Sequence, residues 1–244
     1  MTEWLRGNPQ SALRTAQIAI DDAHRLENAL MLGQVLTLAA QLHYMAQDYE
    51  SMLRLAKEGD DNCEQNGIRY FGAICQLYQI WGQAWSSHVP DCVDKFRRAL
   101  AAYEDMKCGL QVALFRGMLG QLLAANDPRG AAKECELALS NITINDERWW
   151  APEIYRTLGD ALLALPNAEL AEAENCFRRA VAAAQQTGAL MLELRASARL
   201  AKIMVRRHDA QEARRILASV LDKFDEGVDG GDLRAALAFL REIS

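Results

Sequence analysis

The sequence has no hydrophobic run close to the roughly 20 residues that a membrane-spanning helix requires. Its N-terminus, MTEWLRGNPQ, lacks the charged-then-apolar order of a signal peptide. Positive charge is also scarce, because 27 Lys and Arg residues stand against 33 Asp and Glu residues and the formal net charge is −6. Such a balance argues against binding to nucleic acid or to an anionic membrane. We therefore expect a cytoplasmic protein with no direct contact with nucleic acid or membrane.

Cysteine occurs six times, but never in the C-x-x-C spacing of a zinc site or in the dense spacing of a disulfide scaffold. We expect free thiols that pack as small hydrophobic side chains in a reducing cytoplasm. The six residues are Cys63, Cys75, Cys92, Cys108, Cys135 and Cys176.

Catalytic motifs are missing as well. The four histidines form no H-E-x-x-H motif, and neither a G-x-S-x-G nucleophile motif nor a Walker-A motif occurs. The sequence therefore predicts no catalytic residue, no metal site and no cofactor, and thus a protein that is not an enzyme. Cys–His pairs that only folding would bring together stay open as an alternative, because sequence spacing does not exclude them.

One acidic segment, DEGVDGGD from Asp225 to Asp232, superficially resembles a calcium loop. An EF-hand loop that began at Asp225 would need an oxygen ligand and a bidentate Glu where the chain has Gly227 and Ala236. We therefore interpret the segment as a solvated turn in which Asp229 or Asp232 caps the last helix.

The sequence does contain an internal repeat with a period of about 40 residues. Two segments have nearly the same helical pattern, CVDKFRRALAAYEDMKCG and AENCFRRAVAAAQQTG. Their phenylalanines, Phe96 and Phe177, lie 81 positions apart. Glycines that we expect to follow helix ends, where a left-handed conformation is common, recur after one or two periods. They are Gly67, Gly109, Gly188 and Gly227, separated by 42, 79 and 39 positions.

Apolar residues recur at intervals of three and four along the chain, and no segment alternates convincingly in the manner of a strand. This periodicity predicts helices at 9–27, 28–46, 48–66, 68–86, 90–107, 109–125, 128–143, 149–164, 168–187, 188–206, 209–224 and 231–243. One member of each pair is apolar on more than one face, and the other has a single apolar stripe. We predict an all-α fold: a single domain over residues 1–244, built as a right-handed α-solenoid of about six helix-turn-helix repeats.

The small residues of these pairs resemble the tetratricopeptide (TPR) pattern, in which small side chains lie where two helices cross. Three predicted pairs carry it: Ala201, Ala213, Leu217 and Val220; Gly159, Ala173, Phe177 and Ala180; and Gly120, Ala132, Glu136 and Leu139. In the last set, Glu136 stands where the pattern has a bulky residue. The period of about 40 residues exceeds the TPR period of 34, so we expect helices longer than those of a TPR.

Three segments carry a more specific resemblance: ERWWAPEIYRTLGDALLAL (147–165), AEAENCFRRAVAAAQQTGALMLELRASARLAKI (171–203) and DAQEARRILASVLDKFDEGVDGGDLRAALAFL (209–240). They look like the C-terminal TPR-like region of multidomain bacterial regulators, in which cyclase or winged-helix DNA-binding domains are joined to a nucleotide-binding ATPase. The resemblance implies the sensor or scaffold part of a signal-transduction or transcription regulator, and one module of a longer protein. Cyclase and ATPase chemistry would belong to other modules.

In a TPR-like stack the first helices of the pairs line a concave groove, where we expect a protein or peptide partner to bind. The predicted groove residues are His43, Tyr44, Trp81, Trp85, Gln121, Glu153, Arg156, Asp160, Arg195, Lys202 and Arg206. Tryptophan and arginine are typical anchors of protein interfaces. Trp81 and Trp85 have two interpretations, groove or core. At least one of Trp149 and Trp150 is expected to fill the gap left by the preceding helix pair, with ligand contact as the alternative.

Three functions follow from this interpretation. The first is a non-enzymatic module that binds a protein or peptide in the groove. The second is a small-molecule sensor, as the solenoids of maltose-regulon-type activators suggest, with an aromatic-lined pocket near His43, Tyr44, Trp81 and Trp85. The third is self-association into a homo-oligomer through the N-terminal end, because EWLRGNPQSALR reads as the end of one helix, a turn and the second helix of a pair.

Overall fold

The computed structural model describes residues 1–87, 91–107, 109–225 and 230–243, and within these ranges the chain forms helices and no strand. The all-α prediction is therefore confirmed. Among the described residues, no helix has the length and apolar character needed to cross a membrane. Three residues for which we predicted a role, Cys108, Gly227 and Asp229, lie outside the described ranges.

The described residues form thirteen α-helices and one 3₁₀ turn, Arg148–Trp150. The helices are α1 (Thr2–Leu5), α2 (Pro9–Arg25), α3 (Ala29–Met45), α4 (Tyr49–Gln65), α5 (Arg69–Ser87), α6 (Cys92–Asp105), α7 (Val112–Leu123), α8 (Pro128–Asn145), α9 (Ala151–Leu163), α10 (Leu170–Thr187), α11 (Leu190–Arg206), α12 (Ala210–Leu221) and α13 (Gly231–Glu242). All twelve predicted helices are present with small differences at their ends. The short helix α1 was not predicted.

The helices belong to two compact units. Unit 1 comprises Met1 and Ser11–Gly109, and unit 2 comprises Thr2–Gln10 and Leu110–Ser244. In unit 1, α4 packs between α3 and α5, and α6 packs against α5. In unit 2, α7 to α12 pack in succession, each against the next, while α9 also contacts α7 and α11, and α13 contacts α11 and α12. Packing between near neighbours in sequence is the arrangement of a helical-repeat solenoid.

The turns between helices contain the polar and glycine residues that end one helix and begin the next. The side chains of Asn28, Asp48, Asp127 and Asp209 each accept a hydrogen bond from the backbone N–H three residues later. Such caps satisfy backbone donors that have no partner within the helix. Gly188 follows α10 with a φ of +66°, and its N–H binds carbonyls of the helix end, as we predicted for a closing glycine.

The crossing of α9 and α10 explains why the sequence repeats a phenylalanine between small residues. A Cβ on Gly159 would lie 2.6 Å from the ring of Phe177, so only glycine leaves room for this ring. Phe177 is fully buried, together with Ala173 and Ala180 from the same helix. Phe96, its counterpart in unit 1, is fully buried as well. Each phenylalanine is therefore a core residue of its own unit.

The predicted registration of the α7–α8 pair is wrong by one residue. A Cβ on Gly120 would lie 3.0 Å from the Cys135 sulfur and 3.3 Å from the Ala131 carbonyl oxygen. Ala131 and Cys135 are fully buried, whereas Ala132 is only partly buried and Glu136 is exposed. The turn before α8 is shorter than the pattern assumes. Cys135 therefore occupies the position of the bulky residue, which removes the apparent conflict with Glu136.

Candidate functional site

The aromatic residues predicted to line a groove in unit 1 form a cluster that runs from the core to the surface. Trp81 and Trp85 stack with ring centroids 5.3 Å apart and planes 9° apart. Tyr49 meets both indoles edge-on at 5.0 and 5.2 Å, and Tyr44 meets Trp81 edge-on at 5.1 Å. Trp81 is 0% exposed and Trp85 is 54% exposed. Trp81 is therefore a core residue, whereas Trp85 is exposed and its place in a groove stays a prediction.

The groove prediction is corrected for two of these aromatic residues. Trp81 is buried because α5 packs against α3, α4 and α6, so that several faces of α5 belong to the core. Tyr44 of α3 is buried against the Trp81 ring. His43 is mostly buried, and its Nδ1 lies 3.0 Å from Oδ2 of Asp48, the residue that caps α4. Of the four predicted groove residues of unit 1, only Trp85 presents a large area to solvent.

In unit 2, the predicted residues of α7 and α9 form one polar network. The Arg156 guanidinium binds Glu153 on one side, with a 2.5 Å contact between Nη2 and Oε1, and Asp160 on the other, with a 2.7 Å contact between Nη1 and Oδ2. Gln121 of α7 donates to Glu153 at 3.4 Å. Arg199 of α11 approaches Asp160 at 3.2 Å. The network therefore joins three neighbouring helices of unit 2.

The charge of Glu153 is stabilised by this network. Burial alone would raise the pKa of the Glu153 carboxyl, but the positive charges of Arg156, Arg195 and Arg199 and the hydrogen bonds from Arg156 outweigh it and lower the pKa to about 2. A buried carboxylate with such partners stabilises the folded state, because its charged form is favoured there.

The pH dependence of stability tests this network. Because the pKa of Glu153 is lowered from 4.5 to about 2 on folding, its contribution is complete above about pH 4.5 and is lost as the pH falls towards 2. We expect the difference in unfolding free energy between the wild type and Glu153→Gln to shrink by up to about 3 kcal/mol between about pH 5 and pH 2. Urea denaturation at several pH values measures it. A difference that does not change with pH would contradict the assignment.

Arg195 was predicted to lie in the groove, but its side chain is only 8% exposed and is bound within unit 2. Its Nε and Nη2 lie 2.8 and 2.7 Å from Oδ2 of Asp232, and its guanidinium lies 5.0 Å from the ring centroid of Trp4. Asp232 therefore pairs with Arg195 of α11, and the residue at the N-cap position of α13 is Gly230. The capping prediction is wrong for Asp232.

Lys202 and Arg206, the other two predicted cations, are exposed at an open cleft between α11 and α13. The cleft has a volume of about 460 Å³. The Lys202 Nζ lies 5.5 Å from the ring centroid of Phe239, in the range of a cation–π contact. The residues that line the cleft are Lys202, Val205, Arg206, Ala235, Ala238, Phe239 and Glu242. The cleft thus exposes two cations, Lys202 and Arg206, beside an apolar surface that includes Phe239.

Comparison with solved structures places this architecture among helical-repeat proteins. No family model and no curated protein matches the chain. The crystal structure of yeast Tom70 matches with a TM-score of 0.58 and 15% identity, over 86% of this chain and 39% of Tom70. The structure of BtubC (BKLC) from P. vanneervenii matches with a TM-score of 0.59 and 15% identity, over 94% of this chain and 92% of BtubC. The chain has a TPR-like helical-repeat fold.

The sequence interpretation missed three residues of these sites, and the spacing of one of them, Arg199, would have revealed it. Arg199 lies between the predicted Arg195 and Lys202 at helical spacing, so the same stripe of α11 includes it. Asp232 and Phe239 belong to α13, from which the sequence predicted no groove residue. Only the fold shows that α13 packs against α11.

The described cysteines and Trp150, the last residue of the 3₁₀ turn before α9, are buried in the core. The five described cysteines are free and buried, as predicted. Burial raises the pKa of the Cys75 and Cys135 thiols to about 12, which disfavours the reactive thiolate. Trp150 is fully buried, and Trp149 lies against it with ring centroids 3.8 Å apart. Trp150 therefore fills the gap that we expected one of the two to fill.

Proposed function

We propose that the chain is a non-enzymatic interaction module that binds a segment of another protein, and that the cleft between α11 and α13 is the binding site. The exposed pair Lys202 and Arg206 beside the Phe239 ring carries this proposal. Both cations lie one helical turn apart at the edge of an apolar surface. The helical-repeat fold supports it as well, because stacked repeats provide extended surfaces for binding partners.

The chemistry of the cleft favours a segment with an apolar side chain next to a carboxylate. Phe239 with Ala235 and Ala238 offers an apolar surface, and the two cations offer charge-assisted hydrogen bonds to an acidic group. Glu242 at the same cleft disfavours a second acidic group beside it and restricts the orientation of the segment. The chain as a whole has a net charge of −6, so the attraction for an acidic segment is local to this cleft.

Selection from a random peptide library tests the proposal. We expect the full chain to enrich peptides that combine an apolar and an acidic residue, and we expect the double substitution Lys202→Ala with Arg206→Ala to weaken their binding about tenfold or more. A matched control is Arg129→Ala with Lys133→Ala, which removes two exposed cations of α8 in the same unit. Equal binding by both double variants, or no enrichment, would contradict the proposed site.

The regulator context is a further part of this proposal. It is supported by the resemblance of segments 147–165, 171–203 and 209–240 to the C-terminal region of multidomain bacterial regulators. In that setting, a segment bound in the cleft would alter the activity of an attached ATPase or output domain in the cytoplasm. Sequencing the surrounding gene tests it: a reading frame that encodes no ATPase, cyclase or winged-helix domain next to this chain would remove the proposed context.

A further inference from the structure

The N-terminal segment Thr2–Gln10 is bound in unit 2 by its tryptophan. Trp4 is 1% exposed although it belongs to a helix of only four residues. The guanidinium of Arg195 lies over the indole with 5.0 Å to the ring centroid, and Asp232 holds this guanidinium through Nε and Nη2. A cation over an indole face is a favourable contact, and it is stronger when the pair is shielded from water. The ion pair between Arg195 and Asp232 therefore holds the Trp4 indole in place.

The backbone after Trp4 lies directly on apolar side chains of unit 2. A Cβ on Gly7 would be 3.1 Å from both Leu190 Cδ2 and Phe224 Cε1, so a side chain here would force these two neighbours to shift. Gly7 also has a φ of +95°, a conformation that residues with a side chain rarely adopt. Two independent constraints, space and backbone conformation, thus require glycine at this position. Pro9 follows next to the backbone of Gly230.

The segment relates to unit 2 as a bound peptide relates to its receptor. The chain leaves unit 2 after Gln10, belongs to unit 1 from Ser11 to Gly109, and returns to unit 2 only at Leu110. The pocket residues Leu190, Arg195, Phe224 and Asp232 are therefore distant from the segment in sequence. None of them lines the cleft that holds Lys202 and Arg206.

We propose that this pocket of unit 2 is a second recognition site, specific for a segment of the form Trp-x-x-Gly-x-Pro, and that the chain's own N-terminus occupies it until a partner protein with such a segment displaces it. Trp4, Gly7 and Pro9 define the form, because each contacts unit 2 as described above. Tryptophan is among the residues that contribute most to binding at interfaces. The tryptophan, glycine and proline of the bound N-terminal segment thus define the partner segment that we expect the pocket to bind.

Tethering explains why the pocket is filled in the free protein. A segment attached to the same chain is present at an effective concentration of order millimolar, so even weak contacts keep it bound. A competing segment then binds with an apparent affinity reduced by the fraction of molecules whose pocket is open. Release of the tethered segment should therefore strengthen the binding of the same segment added in free form.

A peptide of residues 1–10, MTEWLRGNPQ, provides the probe. We expect the fluorescently labelled peptide to bind the full chain that carries Trp4→Ala at least about tenfold more tightly than it binds the wild type, because the tethered segment no longer competes. The peptide with Trp4→Ala and the peptide with Gly7→Val should both lose binding. Arg195→Ala in the Trp4→Ala chain should weaken binding of the unmodified peptide. Fluorescence anisotropy measures each affinity.

A second variant covers the case in which Trp4→Ala prevents folding. Gly7→Val in the full chain releases the segment by steric conflict and backbone strain but keeps the tryptophan, and circular dichroism verifies that the helices persist. The proposal is overturned if the peptide binds neither released variant, or if both variants lose their helices, since the segment is then an element of the fold. A dimer that the peptide dissociates would assign the pocket to a second copy and would also overturn it. Lys202→Ala with Arg206→Ala should leave peptide binding unchanged, so this site and the proposed cleft can fail separately.

Discussion

Replacement of Trp81 by alanine is expected to lower the free energy of unfolding by about 3–5 kcal/mol. The indole is fully buried and contacts Tyr44, Tyr49 and Trp85 through ring faces and edges. Truncation to a methyl group removes these contacts and leaves a cavity among α3, α4 and α5, which rigid helix packing closes only in part. Urea denaturation followed by circular dichroism measures the loss.

The stacked neighbour Trp85 provides a matched control for this substitution. It has the same side chain on the same helix, one turn later, but 54% of it is exposed. We expect Trp85→Ala to cost less than about 1.5 kcal/mol, the part that its contacts with Trp81 and Tyr49 contribute. Equal losses for the two variants would show that the cluster is packed differently from the arrangement described above.

The substitution Phe177→Ala is expected to destabilise the chain by a similar amount, about 3–5 kcal/mol. The ring fills the space above Gly159 where α9 and α10 cross, and it belongs to the hydrophobic core of unit 2 together with Ala201 and Leu217. Because each repeat relies on its neighbours for burial, loss of this ring should weaken the packing of α9 and α11 at the same time. Thermal unfolding in parallel with urea denaturation detects both effects.

Ile144 near the end of α8 serves as the control for Phe177. It is also a large hydrophobic residue of unit 2, but it is 77% exposed. Ile144→Ala should change the unfolding free energy by less than about 0.5 kcal/mol, as is usual for surface substitutions. If Ile144→Ala proves as costly as Phe177→Ala, burial does not distinguish the two sites and the described core is incorrect.

The helices and their pairing could be predicted from the sequence because they depend on local information. Apolar spacing fixes the helical faces, and polar residues such as Asn28 and Asp127 mark where helices begin. Registration within a pair was less certain, since it depends on the length of the turn. One residue fewer before α8 was enough to put Cys135 in the place that we had given to Glu136.

The site was predicted less well because its composition depends on contacts between distant parts of the chain. In the sequence, Arg195 has the pattern of an exposed basic groove residue. In the fold, Asp232, which lies 37 positions later, pairs with Arg195, and Trp4 covers it. Trp81 and Trp85 share a helical face, and only the contacts made in the fold decide that Trp81 is buried and Trp85 reaches solvent. In contrast, Lys202 and Arg206 are exposed and line the cleft between α11 and α13, so their place in a binding groove stays a prediction.

The distribution of the buried thiols gives five of the helices a chemical probe of their own. Cys63, Cys75, Cys92, Cys135 and Cys176 lie on α4, α5, α6, α8 and α10, one to a helix. An alkylating reagent has to reach the sulfur, and all five thiols are buried, so modification has to wait for the surrounding helices to separate. The order in which the five sites become alkylated would therefore report which repeats open first, without any added label.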